Sequence, residues 1–280
     1  MNEKNYEHLK DNLKYLGFGD KLNEDLQKSL AEGKESFQLK YTSEVNRKPF
    51  EAVLNFRKSD KSENYFLNSY QASLERSNGQ RMGQQFYVNN GHGVTAKEAY
   101  NLLEGRAVHK ELENKEGQKY TAWMQLDFSA RDKRDNYEVK QYHANYGYDL
   151  KAALGKFSIA ELTDPEKEKN LFRSLEKGNL QAVTIEKGGM AHKMYVEANP
   201  QFKNVTLYDA NLKRVQKENL QVYTAPEKAS EVKEGQVQGF KEDIKKAAKQ
   251  GLKEGADKPQ KKKFKEERDG GLRGEQAGMC

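Results

Sequence analysis

An internal repeat is the feature that most constrains how this chain folds. When the sequence is shifted by 72 residues against itself, twelve of 43 aligned positions are identical without a gap. The match runs from Leu30 against Leu102 to Ala72 against Ala144. A shorter third copy begins near Leu175. Self-similarity of this kind predicts a chain built from related structural units rather than one irregular domain.

Each copy has the pattern of one helix followed by three strands. In the second copy, Thr95 and Glu98 form a capping box, and Gly105 is suited to end the helix. Asp20 and Asp164 are the expected N-caps of the first and third helices. Alternating apolar residues then indicate short strands, whose links are too short for parallel crossovers. The predicted fold is α+β: three related units, each a helix plus a three-stranded antiparallel meander, followed by a flexible, partly helical C-terminal tail.

Composition separates this tail from the repeated units. Residues 224–280 carry 14 Lys and Arg against 11 Asp and Glu, and they include only two aromatic residues. Such a segment buries too little apolar surface to offset the entropy of ordering it. We expect a solvated, partly helical tail, with a phosphate-contacting arm as the alternative. The predicted divisions are residues 1–94 (an N-terminal helix and the first unit), 95–148 (the second unit), 149–223 (the third unit) and 224–280 (a basic, largely disordered tail).

No sequence pattern indicates catalysis or a metal centre. The five histidines are scattered, the single cysteine is the last residue, and no Gly-x-Ser-x-Gly or phosphate-loop motif is present. We therefore expect a protein that is not an enzyme and that uses no cofactor or metal. No run approaches the roughly 18 apolar residues of a membrane span, and the first residues lack the apolar segment of a signal peptide. No membrane partner and a cytoplasmic location are expected.

A modest positive charge favours a polyanionic partner. Lys and Arg number 49 against 43 Asp and Glu, which gives a formal net charge of +6. Clustered lysines displace counterions from nucleic acid, so basic positions in the units and the tail are candidate phosphate contacts. Trp123, the single tryptophan, is expected to be a core ring, with stacking on a base as the alternative. The candidate nucleic-acid-binding residues are Arg106, Lys110, Lys133, Arg134, Lys245, Lys246, Lys249, Lys261, Lys262 and Lys263.

Two sequence blocks carry a resemblance to a known family. They are Ala122-Trp123-Met124-Gln125-Leu126-Asp127-Phe128 and Glu197-Ala198-Asn199-Pro200-Gln201-Phe202-Lys203. Both are similar to blocks of a domain-of-unknown-function family found in conjugative and integrative mobile elements of Bacteroidetes. The resemblance spans about residues 1–215 and implies a setting in DNA transfer or element maintenance. It brings no catalytic residues with it.

The sequence leaves more than one function open. The first is a non-enzymatic, nucleic-acid-associated accessory protein of a mobile genetic element, which binds through basic surface and the Lys-rich tail. The alternative is a protein–protein interaction scaffold whose repeated sheets dock a protein partner from a DNA-processing complex. An enzyme acting on nucleic acid is the third, and it would require a metal-bound carboxylate cluster.

Overall fold

The structure, a computed structural model, describes residues 2–45, 47–76, 79–89, 91–114 and 116–225. Within them the chain forms a mixed α/β fold with three antiparallel sheets of five, three and three strands. The predicted combination of helices with antiparallel sheets is confirmed at this level. The repeat relationship and the divisions between units stay predictions. The helices are α1 (Glu3–Tyr15), α2 (Asn23–Glu32), α3 (Ala96–Leu103), α4 (Leu150–Leu154), α5 (Pro165–Glu176) and α6 (Lys217–Leu220).

The first sheet has five strands, so the prediction of three strands in the first unit is wrong. The fourth strand alternates buried Met82, Gln84, Phe86 and Val88 with more exposed residues. Sequence analysis missed it because Gln84 places a polar side chain in the buried series, which interrupts the apolar alternation. In sheet order the strands are β1 (Ser36–Val45), β2 (Lys48–Lys58), β3 (Tyr65–Glu75), β4 (Arg81–Asn89) and β5 (His92–Gly93).

The second and third sheets each have three strands, as predicted. In the third sheet, Gly188 and Gly189 form the predicted hairpin turn, both at positive φ (57° and 78°). Turns of this kind favour glycine because both central residues adopt left-handed backbone angles. The strands are β6 (Val108–Glu113), β7 (Lys119–Arg131) and β8 (Tyr137–His143) in the second sheet, and β9 (Gln181–Lys187), β10 (Met190–Asn199) and β11 (Asn204–Tyr208) in the third.

Most helix ends lie where the sequence predicts. The Thr95 hydroxyl accepts from the Glu98 amide and the Glu98 carboxylate accepts from the Thr95 amide, which completes the capping box of α3. The Asp164 carboxylate accepts from two amides in the first turn of α5. The prediction that Asp20 caps α2 is wrong. Leu22 takes the cap position without a side-chain hydrogen bond, because leucine has no polar side-chain atom; its side chain is buried in the core.

The second sheet lies between two hydrophobic cores. Met124 and Leu126 of β7 belong to the core that also takes the buried side of the first sheet. Trp123 and Tyr142 belong to the core of the third unit. Trp123 is 7% exposed, so the prediction of a core ring is confirmed. Helix α3 packs against strands of the first and second sheets, and α5 against strands of the second and third.

The join between the second and third units depends on a close approach at Gly178. A β-carbon at this position would lie 2.8 Å from the Ala107 carbonyl oxygen and 2.9 Å from Cγ2 of Val108. The backbone also has a left-handed φ of +77°. Arg106 Nε donates to the Gly178 carbonyl oxygen over 2.9 Å. Only glycine therefore fits here without moving β6 away from the end of α5.

We expect Gly178→Ala to lower the free energy of unfolding by about 2–4 kcal/mol, because left-handed strain adds to a clash with backbone. Gly33→Ala is the matched control. Gly33 has φ +71° with nothing within 4 Å of the added β-carbon, so only strain of about 1 kcal/mol applies. Urea denaturation of both variants measures the difference, and equal losses would show that the join tolerates a side chain.

Candidate nucleic-acid interface

One side of the first sheet is buried and the opposite side faces solvent. Leu39, Leu54, Tyr70 and Phe86 mark the buried side on four successive strands, and each is less than 7% exposed. Because side chains alternate along a strand, the intervening residues point away from this core. We call this solvent-facing side the outer face. Its residues include Gln38, Lys40, Glu51, Val53, Asn55, Arg57, Phe66, Ser69, Gln71, Ser73, Arg81, Gln85 and Tyr87.

A ladder of polar side chains crosses four strands of the outer face. Gln38 Nε2 donates to Asn55 Oδ1 over 2.8 Å, and Asn55 Nδ2 donates to Ser69 Oγ over 3.2 Å. Gln85 Nε2 donates to the same Ser69 oxygen over 3.1 Å. Among the contacts of the described residues, the side-chain carbonyl oxygens of Gln38 and Gln85 have no protein donor. The ladder therefore presents ordered amide groups to solvent.

Two aromatic rings stand on the outer face. Phe66 is 42% exposed and Tyr87 is 53% exposed. The register of β3 against β2 skips Asn68, which makes a bulge. The bulge shifts the side-chain alternation, so that Leu67 and Tyr70 both point into the core while Phe66 points outward. The position of the Phe66 ring thus follows from the irregularity in β3.

The loop between β7 and β8 is fastened to the edge of β4. Gln84 Oε1 accepts from the Tyr137 amide over 2.8 Å, and Gln84 Nε2 donates to the Tyr137 carbonyl oxygen over 3.3 Å. Asn136 Oδ1 accepts from the Gln85 amide over 3.0 Å. Side-chain amides here take the place of backbone strand pairing. The loop that carries two of the predicted binding residues is held beside the outer face as a result.

Those two residues are Lys133 and Arg134. The Asp132 carboxylate accepts from the amides of Asn136 (2.9 Å) and Arg134 (2.8 Å), which fixes the loop and lowers the pKa of Asp132. The Arg134 guanidinium donates to the Tyr87 hydroxyl. Lys133 is exposed beside it. The structure therefore brings one of the two predicted cations to the hydroxyl of an exposed tyrosine on another sheet.

Arg106 and Lys110, by contrast, are engaged inside the fold. The Arg106 side chain is 12% exposed, and its terminal nitrogen donates to Asn101 Oδ1 over 2.8 Å. Lys110 Nζ lies 2.8 Å from the carboxylate of Glu98, which is 8% exposed. Both cations hold elements of the protein together. Their positions do not support the prediction that they contact phosphate.

Other predictions depend on which residues the structure describes. Within those residues, no group of three or more His, Cys, Asp or Glu side chains is placed to hold a metal ion. No helix in the same part of the chain is long and apolar enough to cross a membrane. The tail residues Lys245, Lys246, Lys249, Lys261, Lys262 and Lys263 lie outside the described residues.

No protein-family model, curated protein or solved structure matches this chain. The resemblance to a mobile-element family therefore stays a prediction. Function is inferred from the geometry of the chain itself.

Sequence reasoning missed the aromatic and amide residues of the outer face. Gln85 and Tyr87 had no structural context because β4 was not predicted. A signal was present in the run Gln84-Gln85-Phe86-Tyr87-Val88, where larger apolar residues alternate with residues that have polar groups. Counting Gln84 as an inward position would have revealed the strand and its solvent-facing side.

We expect Arg106→Ala to lower the free energy of unfolding by about 2–4 kcal/mol, because two buried oxygen acceptors lose their donor. Arg106→Lys should recover less than half, since one ammonium cannot reproduce two directed guanidinium bonds. Lys133→Ala is the exposed control and should change stability by less than about 0.5 kcal/mol. Urea denaturation checks all three, and a Lys variant as stable as the parent protein would contradict the structural role.

Proposed function

We propose that this protein is a non-enzymatic, nucleic-acid-associated accessory protein that binds through the outer face and the adjoining β7–β8 loop. The observation that carries the proposal is the hydrogen bond from the Arg134 guanidinium to the hydroxyl of the exposed Tyr87, on the open face of the first sheet. In this arrangement Arg134 contacts a phosphate of the bound strand while the Tyr87 ring stacks on a neighbouring base. The mobile-element setting, implied by the resemblance, is part of the same proposal.

The outer face and its loop offer few cations for phosphate contact. They are Lys40, Arg57, Arg81, Lys133 and Arg134. Arg57 and Arg81 share exposed ion pairs with Asp60 (3.1 Å) and Glu51 (2.8 Å), which water and salt weaken, so both remain exchangeable with a phosphate. Five such contacts correspond to a salt slope of roughly −3.5 for a single strand. We therefore expect moderate affinity, to which the Lys-rich tail adds attraction that is independent of sequence.

A protein-interaction scaffold is the second candidate function, and the edge of the second sheet favours it. β8 is an outer strand of that sheet, and residues 138–141 are all exposed. An open edge strand can pair with an extended segment of a partner protein. Under this function the protein would co-purify with a partner and show little affinity for nucleic acid.

Charge reversal at the loop tests the nucleic-acid proposal. We expect Lys133→Glu combined with Arg134→Glu to weaken binding of mixed-sequence single-stranded oligonucleotides roughly tenfold or more and to reduce the salt slope by about 1.4, since each phosphate contact on a single strand contributes about 0.7. Fluorescence anisotropy between about 50 and 200 mM salt measures both quantities. The effect should be similar across sequences, because phosphate contacts carry no base information.

The matched control reverses two exposed cations elsewhere. Lys14 and Lys28 lie on α1 and α2, which pack against the buried side of the first sheet. Lys14→Glu combined with Lys28→Glu changes the net charge equally and should leave most of the affinity intact. Equal losses in both double variants would show a response to net charge alone. No binding by the parent protein at about 50 mM salt would overturn the proposed function.

A further inference from the structure

We propose that the outer face binds single-stranded RNA, with Phe66 and Tyr87 as stacking platforms and the amide ladder as the reader of ribose hydroxyls. This inference rests on the proposed function and specifies its ligand. Three properties of the outer face support this inference: the spacing of the two rings, the neutral side-chain amides of the ladder, and the small number of cations.

The two rings are placed to receive neighbouring bases. Tyr87 on β4 is paired with Ser69 on β3, and Ser69 is in turn paired with Asn55 on β2. Phe66, also on β3, is paired with Arg57, two residues beyond Asn55 on β2. Two residues of β2, or three of β3 with its bulge, separate the rings along the sheet, and one strand separates them across it. The resulting diagonal is roughly 8–11 Å between α-carbons. Bases in a duplex are stacked on each other and hide their flat surfaces, so exposed rings favour an unpaired strand whose bases are splayed apart.

The amide ladder suits ribose better than deoxyribose. Gln38 and Gln85 each present a carbonyl oxygen and an amide hydrogen toward solvent, and Gln71 stands between them on β3, opposite Gln85. A ribose 2′-hydroxyl both donates and accepts hydrogen bonds, and it is the group that distinguishes RNA from DNA. Because the ladder bonds already order Gln38 and Gln85, little rotamer entropy is lost when these two side chains bind.

The same polar groups disfavour a protein partner on this face. An apolar protein surface placed over the ladder would remove water from the amides without supplying partners, which is costly. A single strand supplies a phosphate, a hydroxyl and base edges at each nucleotide. The exposed cations of the outer face and its loop complement the phosphates. Arg81, farther along β4 from Tyr87, shares an exposed ion pair with Glu51 over 2.8 Å, which a phosphate can replace.

The test uses the full chain with three labelled probes of one sequence: a 12-nucleotide single-stranded RNA, the matching single-stranded DNA, and the RNA duplex. We expect the RNA single strand to bind at least fivefold more tightly than the DNA strand, and the duplex to bind most weakly. Phe66→Ala combined with Tyr87→Ala should weaken RNA binding roughly 30-fold or more, since stacking is lost at two bases. Phe66→Ala alone leaves Tyr87 and its hydrogen bond from Arg134 intact, so it isolates the loss of one stacking ring. Phe66→Tyr keeps a ring at that position and should bind RNA more tightly than Phe66→Ala.

The matched aromatic control lies away from the outer face. Tyr15 and Phe202 are 77% and 68% exposed, and Tyr15→Ala combined with Phe202→Ala should leave RNA affinity unchanged. Gln38→Ala combined with Gln71→Ala should weaken RNA binding several-fold and leave DNA binding unchanged, because only RNA carries the 2′-hydroxyl. Circular dichroism of each variant confirms that these exposed substitutions preserve the fold.

The outcomes separate this inference from the proposed function. If charge reversal at Lys133 and Arg134 weakens binding but loss of the two rings does not, the proposed function stands and the stacking site is overturned. Equal affinity for RNA and DNA, or preference for the duplex, overturns the assignment to single-stranded RNA. If no probe binds, both proposals fail, and the next experiment is a search for a protein partner of the outer face.

Discussion

Burial of only one side of the first sheet is the constraint on which the rest of the structure depends. The inward side chains of β1 to β4 join one core with α1, α2 and α3. The other side carries mainly polar residues, so it stays solvated without exposing a large apolar surface. The second sheet is different, because Trp123 and Met124 belong to separate cores. Of these two sheets, only the first offers a broad open face.

Short-range sequence patterns predicted the helix caps and turns, which depend on interactions between neighbouring residues. The Thr95–Glu98 capping box and the glycine turns need only neighbouring residues, and the structure confirms them. The prediction failed at Gln84, whose partner is the Tyr137 backbone 53 residues away. A buried amide with a distant partner looks like a break in a strand when only the sequence is known. The outer face was missed for the same reason, because it requires β4 to be assigned.

The basic residues show why a positive charge in the sequence does not indicate that the side chain is free to bind a ligand. Arg106 and Arg134 were equal candidates from the sequence. Arg106 is enclosed between Asn101 and Gly178, the latter 72 residues further along the chain, whereas Arg134 lies beside the exposed Tyr87 ring. No neighbouring residue distinguishes these two environments. Tertiary partners therefore decide which cations stabilise the fold and which remain available to a ligand.

The same contacts that stabilise the fold also organise the outer face. Gln84 and Asn136 attach the β7–β8 loop to β4, and Asp132 orders the loop internally. Arg134 is thereby held in place before any ligand arrives, so binding does not require the loop to be ordered at that moment. A surface with few cations depends on this preorganisation, since screening at physiological salt weakens attraction over distances beyond about 8 Å. Under the proposed function, the placement of these cations, more than their number, determines which ligands the outer face binds.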